Sequence, residues 1–73
     1  MFTLNYGRGD GTVGKYVDPT GGLRVARMQC FLAGVASVVR EDYLIQDVQD
    51  LPNKNLGFIA KGKTSGKLYK GEV

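Results

Sequence analysis

Three stretches of this 73-residue chain hold residue types at spacings that could do chemistry. Gly57-Phe58-Ile59-Ala60-Lys61-Gly62-Lys63-Thr64 matches the phosphate-binding loop pattern letter for letter. Such a loop needs a strand before it and a helix after it, so that backbone amides and the helix dipole face the phosphates. Here the intervening residues are apolar and strand-like, and too little chain follows Thr64 to supply a later carboxylate for the metal. Gly9-Asp10-Gly11-Thr12-Val13-Gly14 matches the dinucleotide fingerprint, which should open a helix. A turn at Asp18-Pro19 follows instead, and the string reads as a hairpin loop. Arg8-Gly9-Asp10, which overlaps its start, spells an integrin-binding tripeptide, read as a coincidence in a chain without a secretion signal.

The carboxylates Glu41, Asp42, Asp47 and Asp50 form the third stretch. Acid–base catalysis or metal binding would require them to converge. On a strand, alternate residues share a face, which puts Asp47 with Tyr43 and Ile45 and turns Asp42 the other way. The pattern reads as an acidic edge that discourages edge-to-edge pairing, or as a surface that docks a basic partner. Cys30 is the lone cysteine and there is no histidine. A cysteine nucleophile lacks its usual base, and Cys30 in Met28-Gln29-Cys30-Phe31-Leu32 reads as a small buried hydrophobe in a reducing compartment. Scattered carboxylates with one Cys are not a zinc pattern. No cofactor, metal site or catalytic residue is expected, and the chain is read as a binding protein rather than an enzyme.

Charge is segregated along the chain. Formal net charge is +3. Residues 41–50 carry four acids and no base, whereas residues 54–70 carry five lysines and no acid. Lys61, Lys63, Lys67 and Lys70, with glycines and Tyr69 between, resemble a basic phosphate-contacting tail whose affinity would fall with salt. The bland alternative is a solubilising tail.

The elements that must carry these residues follow from periodicity. Phe2–Tyr6 alternates as a half-buried strand, the glycine-rich stretch 7–11 breaks it, and Thr12–Val17 forms the second arm of a hairpin. After the turn Asp18–Gly22, apolar residues at Val25, Met28, Leu32, Val35 and Val39 recur at helical spacing. The helix spans about 22–40 with Thr20 as N-cap; it is more apolar than a surface helix needs, so it should lie across a sheet. Gly34 and the valines leave two strands as the rival. Residues 43–48 and 56–60 form a second hairpin, and Leu68-Tyr69 adds a short edge strand. The sum is an α+β fold, one helix packed on a small antiparallel sheet, with residues 61–73 read as a flexible basic tail. The whole is a single small domain over residues 1–73, read as a monomer and stable by a few kcal/mol at most, on the order typical for this size. No segment reaches the roughly 20 apolar residues that cross a bilayer, and the first residues carry neither a basic flank nor an apolar signal region.

The opening Met1-Phe2-Thr3-Leu4-Asn5-Tyr6-Gly7-Arg8-Gly9-Asp10-Gly11 and the central Val25-Ala26-Arg27-Met28-Gln29-Cys30-Phe31-Leu32-Ala33-Gly34, together with the length, resemble the small phage-encoded transcription regulators that bind bacterial RNA polymerase, known from a Xanthomonas phage. The resemblance covers the full chain. It implies inhibition of host transcription initiation by displacement of the sigma factor, and antitermination during elongation. It also implies action near the RNA exit channel in the host cytoplasm. The N-terminal part of the β′ subunit would be the anchor and the elongation factor NusA a second partner. No residue-level pattern carries over, so the site residues come from chemistry alone. Aromatic and Arg side chains commonly anchor interfaces, which favours Tyr6, Arg8, Tyr16 and Tyr43. Glu41, Asp42 and Asp47 would supply charge complementarity, and Lys61, Lys63, Lys67 and Lys70 would lie near emerging RNA. The competing reading is a small nucleic-acid-binding domain that uses those lysines; a small toxin or antitoxin is a third.

Overall fold

The computed structural model describes residues 1–73 as β1 (Phe2–Gly7), β2 (Val13–Asp18), α1 (Leu23–Val39), β3 (Tyr43–Asp50), β4 (Leu56–Gly62) and β5 (Leu68–Glu72). The fold is α+β, but the strands form two antiparallel sheets rather than one: β1-β2 and β3-β4-β5. They meet where β1 packs beside β3. No backbone ladder joins them. The bulge at Gln46 disturbs β3 there, and the join is made by side chains. The Gln46 amide oxygen accepts a hydrogen bond from Gly9 N–H at 3.0 Å, and Leu44 lies over Gly7.

The first hairpin alternates as its sequence demands. Leu4, Tyr6, Gly14, Tyr16 and Asp18 face inward while Thr3, Asn5, Lys15 and Val17 face out. Gly14 has no side chain because the Tyr6 ring occupies the space where a Cβ would stand. Leu4, Tyr6 and Tyr16 join Val25, Met28 and Leu32 of the helix and Val48, Leu56, Phe58 and Ala60 of the second sheet in one core. Met28 and Leu56 are fully buried, each worth about 2 kcal/mol in removed apolar area.

The helix forms over nearly the expected span, and the two-strand rival fails. Its start differs from expectation. The N-cap is Gly22 at φ 91°, which offers no side chain. Thr20 instead bonds Asp18, through its N–H at 2.9 Å and its hydroxyl at 2.6 Å. A capping bond comes instead from Asp18 at the end of β2, whose carboxylate accepts from Val25 N–H at 3.4 Å. A buried carboxylate beside an N-terminus also complements the helix dipole. The helix ends at Arg40 in the left-handed region, φ 61°, with its N–H bonded to the Ala36 carbonyl.

Two further expectations are corrected. Residues 61–73 are not a loose tail: β5 pairs with β4 from Leu68 to Glu72. Leu56 and Val73 then exchange backbone hydrogen bonds at 2.7 and 2.9 Å. Alternation through Leu68-Tyr69-Lys70 was short but sufficient, because β4 offered a free edge. Cys30 is exposed rather than buried, since the helix turns the opposite face to the core.

Candidate functional site

The tyrosines expected to anchor a partner are structural. Tyr6 and Tyr16 are only 6% and 7% exposed. Alternation in the first hairpin points both rings inward, so neither can meet a partner in the folded chain. Tyr43 is half-buried against the core, its ring centroid 5.9 Å from that of Tyr69. The Tyr43–Tyr69 pair continues through Phe58 and Phe31, whose ring reaches over from the helix with its centroid 5.8 Å from Tyr69.

Tyr16 belongs to a polar knot that joins β2, α1 and the end of β3. Its hydroxyl donates to Asp50 at 2.7 Å and accepts from Arg24 Nη2 at 2.5 Å. Arg24 also pairs with Asp50 at 2.7 Å and with Asp18 at 3.4 Å. Burial, followed by the bond to Asp50, pushes the Tyr16 hydroxyl up to about 12, against the opposing pull of Arg24. Burial alone would raise the Asp18 carboxyl. The bonds from Thr20 and Val25 and the charge of Arg24 outweigh it and hold Asp18 at about 2. Every hydroxyl and carboxylate here is tied to a neighbour, and the knot clamps the helix start onto the first hairpin.

The acidic set does not converge. Glu41 accepts from the Ser65 hydroxyl at 2.7 Å and the Ser65 N–H at 3.1 Å, fixing the turn between β4 and β5. Asp42 is exposed and its carbonyl accepts from Lys63 N–H at 2.8 Å. Asp47 is not on the face of Tyr43 and Ile45. The register shift between Ile45 and Asp47 sets Asp47 opposite Ile59, while Ile45 and Val48 oppose the core residues Ala60 and Phe58. The extra residue in the bulge flips Asp47 outward.

That flip assembles a mixed-charge outer face. Arg8 is exposed in the hairpin loop, its guanidinium 5.8 Å from the Tyr6 ring centroid. Tyr6, Asp10 and Asp47 all act to raise its pKa, Tyr6 most strongly. Register places Asp47, Ile59 and Lys70 in one row and Leu44, Lys61 and Leu68 in the next. Lys61 and Lys70 are therefore diagonal neighbours on one face. Lys63 and Lys67 stand in the adjoining turn, and a shallow cleft of about 270 Å³ runs between Gly9, Leu44, Lys61 and Lys63. Of the residues expected at a partner surface, Arg8 and Asp47 meet here, alongside Lys61, Lys63 and Lys70. No group of three His, Cys, Asp or Glu side chains lies close enough to hold a metal ion.

A surface that the site expectations missed lies on the helix. From Ala33 onward no helical residue is buried. Leu23 is 56% exposed, Phe31 41%, Val38 82% and Val39 49%. A shallow apolar groove of about 440 Å³ is lined by Cys30, Phe31, Gly34, Val35, Val38 and Val39. The signal was in the sequence: over Leu23–Val39 only Arg24, Arg27, Gln29 and Ser37 are polar. A helix apolar on most sides should be covered on most sides. This one is covered on one. No helix of the chain is long and apolar enough to cross a membrane.

Comparison of the chain with known protein families, with curated proteins and with solved structures finds no match.

Proposed function

We propose that this chain is a phage-encoded regulator that works by binding bacterial RNA polymerase in the host cytoplasm and performs no covalent chemistry. Bound there, it inhibits initiation by displacing the sigma factor and promotes antitermination. The resemblance in residues 1–11 and 25–34 supplies the partner, its β′ anchor and the cooperation with NusA. The observation that carries a protein-binding reading is the exposed apolar half of α1, because contiguous apolar surface of this kind marks protein contacts. One docked state that favours a single polymerase conformation would serve both effects, since a ligand shifts an equilibrium by its differential affinity for the two states. The test is competition on purified core polymerase. The account predicts stoichiometric capture of the chain and release of sigma. Absence of capture at micromolar protein contradicts it.

A second reading rests on the diagonal pair Lys61 and Lys70 with Lys63 and Lys67 beside it. Such a face could contact phosphates of nearby RNA. It predicts a gel shift of labelled RNA at low salt that fades steeply as salt rises.

A further inference from the structure

We infer that the open edge of β5 pairs antiparallel with β5 of a second copy of this chain, and that the same two-fold contact covers the apolar groove on α1. The inference goes beyond the polymerase reading and does not depend on it.

β5 is the last strand of its sheet, and no strand lies against its outer side. Antiparallel pairs alternate between residues that exchange backbone hydrogen bonds and residues that do not. Leu56 and Val73 exchange both bonds, and Gly62 N–H donates to the Lys67 carbonyl. That phase turns the backbone groups of Tyr69 and Gly71 towards β4. It leaves the N–H and C=O of Leu68, Lys70 and Glu72 pointing outward with no strand to meet. Such a row is a template for another strand, and a lysine in it ordinarily repels one. Here Lys70 and Glu72 stand two residues apart on the outer face, both exposed, with Gly71 between them. An edge with one charge of each sign about its centre is complementary to itself.

Charge selects the register. The two-fold registers that join more than one of the outward residues centre on Tyr69, Lys70 or Gly71. Centred on Lys70, the pair sets lysine against lysine. Centred on Tyr69, it sets Lys70 against Leu68. Centred on Gly71, it sets Lys70 of each copy against Glu72 of the other, twice. Opposite charges directly across a ladder are favourable where like charges are not. Lys70 has no ion pair within the chain. Glu72 accepts from Asn53 and Asn55 through one oxygen, at 2.8 Å each, and its other oxygen is left for Lys70 of the second copy. On the inner face the same register sets Tyr69 opposite Val73, both half-buried against the core.

Phe31 ties this edge to the groove. It forms part of the groove wall, and its ring centroid lies 5.8 Å from that of Tyr69 on β5. A two-fold axis through Gly71, perpendicular to the sheet, keeps both helices on one side of a continuous sheet and turns their Phe31 flanks towards each other. Each groove is then bounded by the other copy, and polymerase would compete with the second copy for it. The net charge of +3 opposes association, and a contact along one short edge belongs with the weak interfaces. The dimer therefore forms at high protein concentration.

Sedimentation equilibrium of the full chain from micromolar to millimolar concentration, with amide NMR over the same range, is the test. Dimer should accumulate towards millimolar protein, and amides of residues 68–73 and 30–39 should shift together. Lys70→Glu and Glu72→Lys each turn both cross-strand pairs into like-charge pairs. Each should weaken association about tenfold, with folding checked by circular dichroism. An equal mixture of the two variants restores opposite charges at both pairs and should associate at least as well as wild type. The doubly exchanged variant should do the same. A chain that stays monomeric at millimolar concentration overturns the inference. So does a dimer that both single variants leave unchanged, a mixture as weak as either variant alone, or shifts confined to the helix with β5 unmoved. Every one of these measurements omits polymerase, so failure here leaves the polymerase reading untouched.

Discussion

Asp18 is the residue on which the link between hairpin and helix most depends, and its replacement gives a calculable result. Its side chain is fully buried and accepts from Thr20, Arg24 and Val25. These contacts hold the carboxyl at about 2, against an ordinary value of 3.8. A folded value below the unfolded one contributes stability that is present above pH 3.8. That contribution is lost as pH falls towards 2, and its size is on the order of 2 kcal/mol. Asp18→Asn keeps an oxygen for the amides but removes the charge, so it should cost about 2 kcal/mol at pH 7. Asp18→Ala also removes the helix cap, worth about 1 kcal/mol, and the total of about 3 kcal/mol approaches the whole stability expected of so small a domain. Urea unfolding followed by far-UV circular dichroism at a series of pH values measures both effects. Wild type should lose stability between about pH 4 and pH 2. Asp18→Asn should start lower and lose much less over that range, with a residue left by Asp10 and Glu72, whose carboxyls are also held low by hydrogen bonds. An Asn variant as stable as wild type at pH 7, or one with the acid loss intact, would refute the reasoning.

Three other outcomes follow from the same geometry. Tyr16, raised to about 12 from an ordinary 10, contributes stability that is complete below pH 10 and disappears as pH climbs to 12; ultraviolet titration should show one tyrosine ionising there, at the pH where the fold is lost. Gly14→Ala drives a methyl into the Tyr6 ring and should cost about 2 kcal/mol or more in urea unfolding, as overpacking of a tight core does. Gly34→Ala meets open space within the helix and should raise stability by about 1 kcal/mol in the same assay.

Much of this fold was legible in periodicity. Alternation in residues 2–6 and 12–17, the three-to-four spacing after Leu23, and the turn residues before Leu56 place the helix and the first four strands to within a few positions, whereas β5 was hidden in what reads as a basic tail. What escaped had long-range causes. The bulge at Gln46 moves Asp47 to the other face. Nothing in residues 43–48 marks it, because it serves the contact with Gly9 far away in the chain. Asp18 reads as a turn residue, yet it caps a helix across the turn. Residue type favours Tyr6 and Tyr16 as partner anchors, but the alternation that identifies their strands points both rings inward. The apolar excess of the helix was visible; which side would stay bare depended on how little sheet the rest of the chain could build.

Hydrogen–deuterium exchange of the chain alone and bound to core polymerase tests the central claim most directly. The account predicts slowed exchange across Cys30–Arg40 in the complex, with the outer-face strand segment Ile59–Lys70 changed little. Protection confined to the outer sheet face, with the helix exchanging as in the free chain, would contradict it.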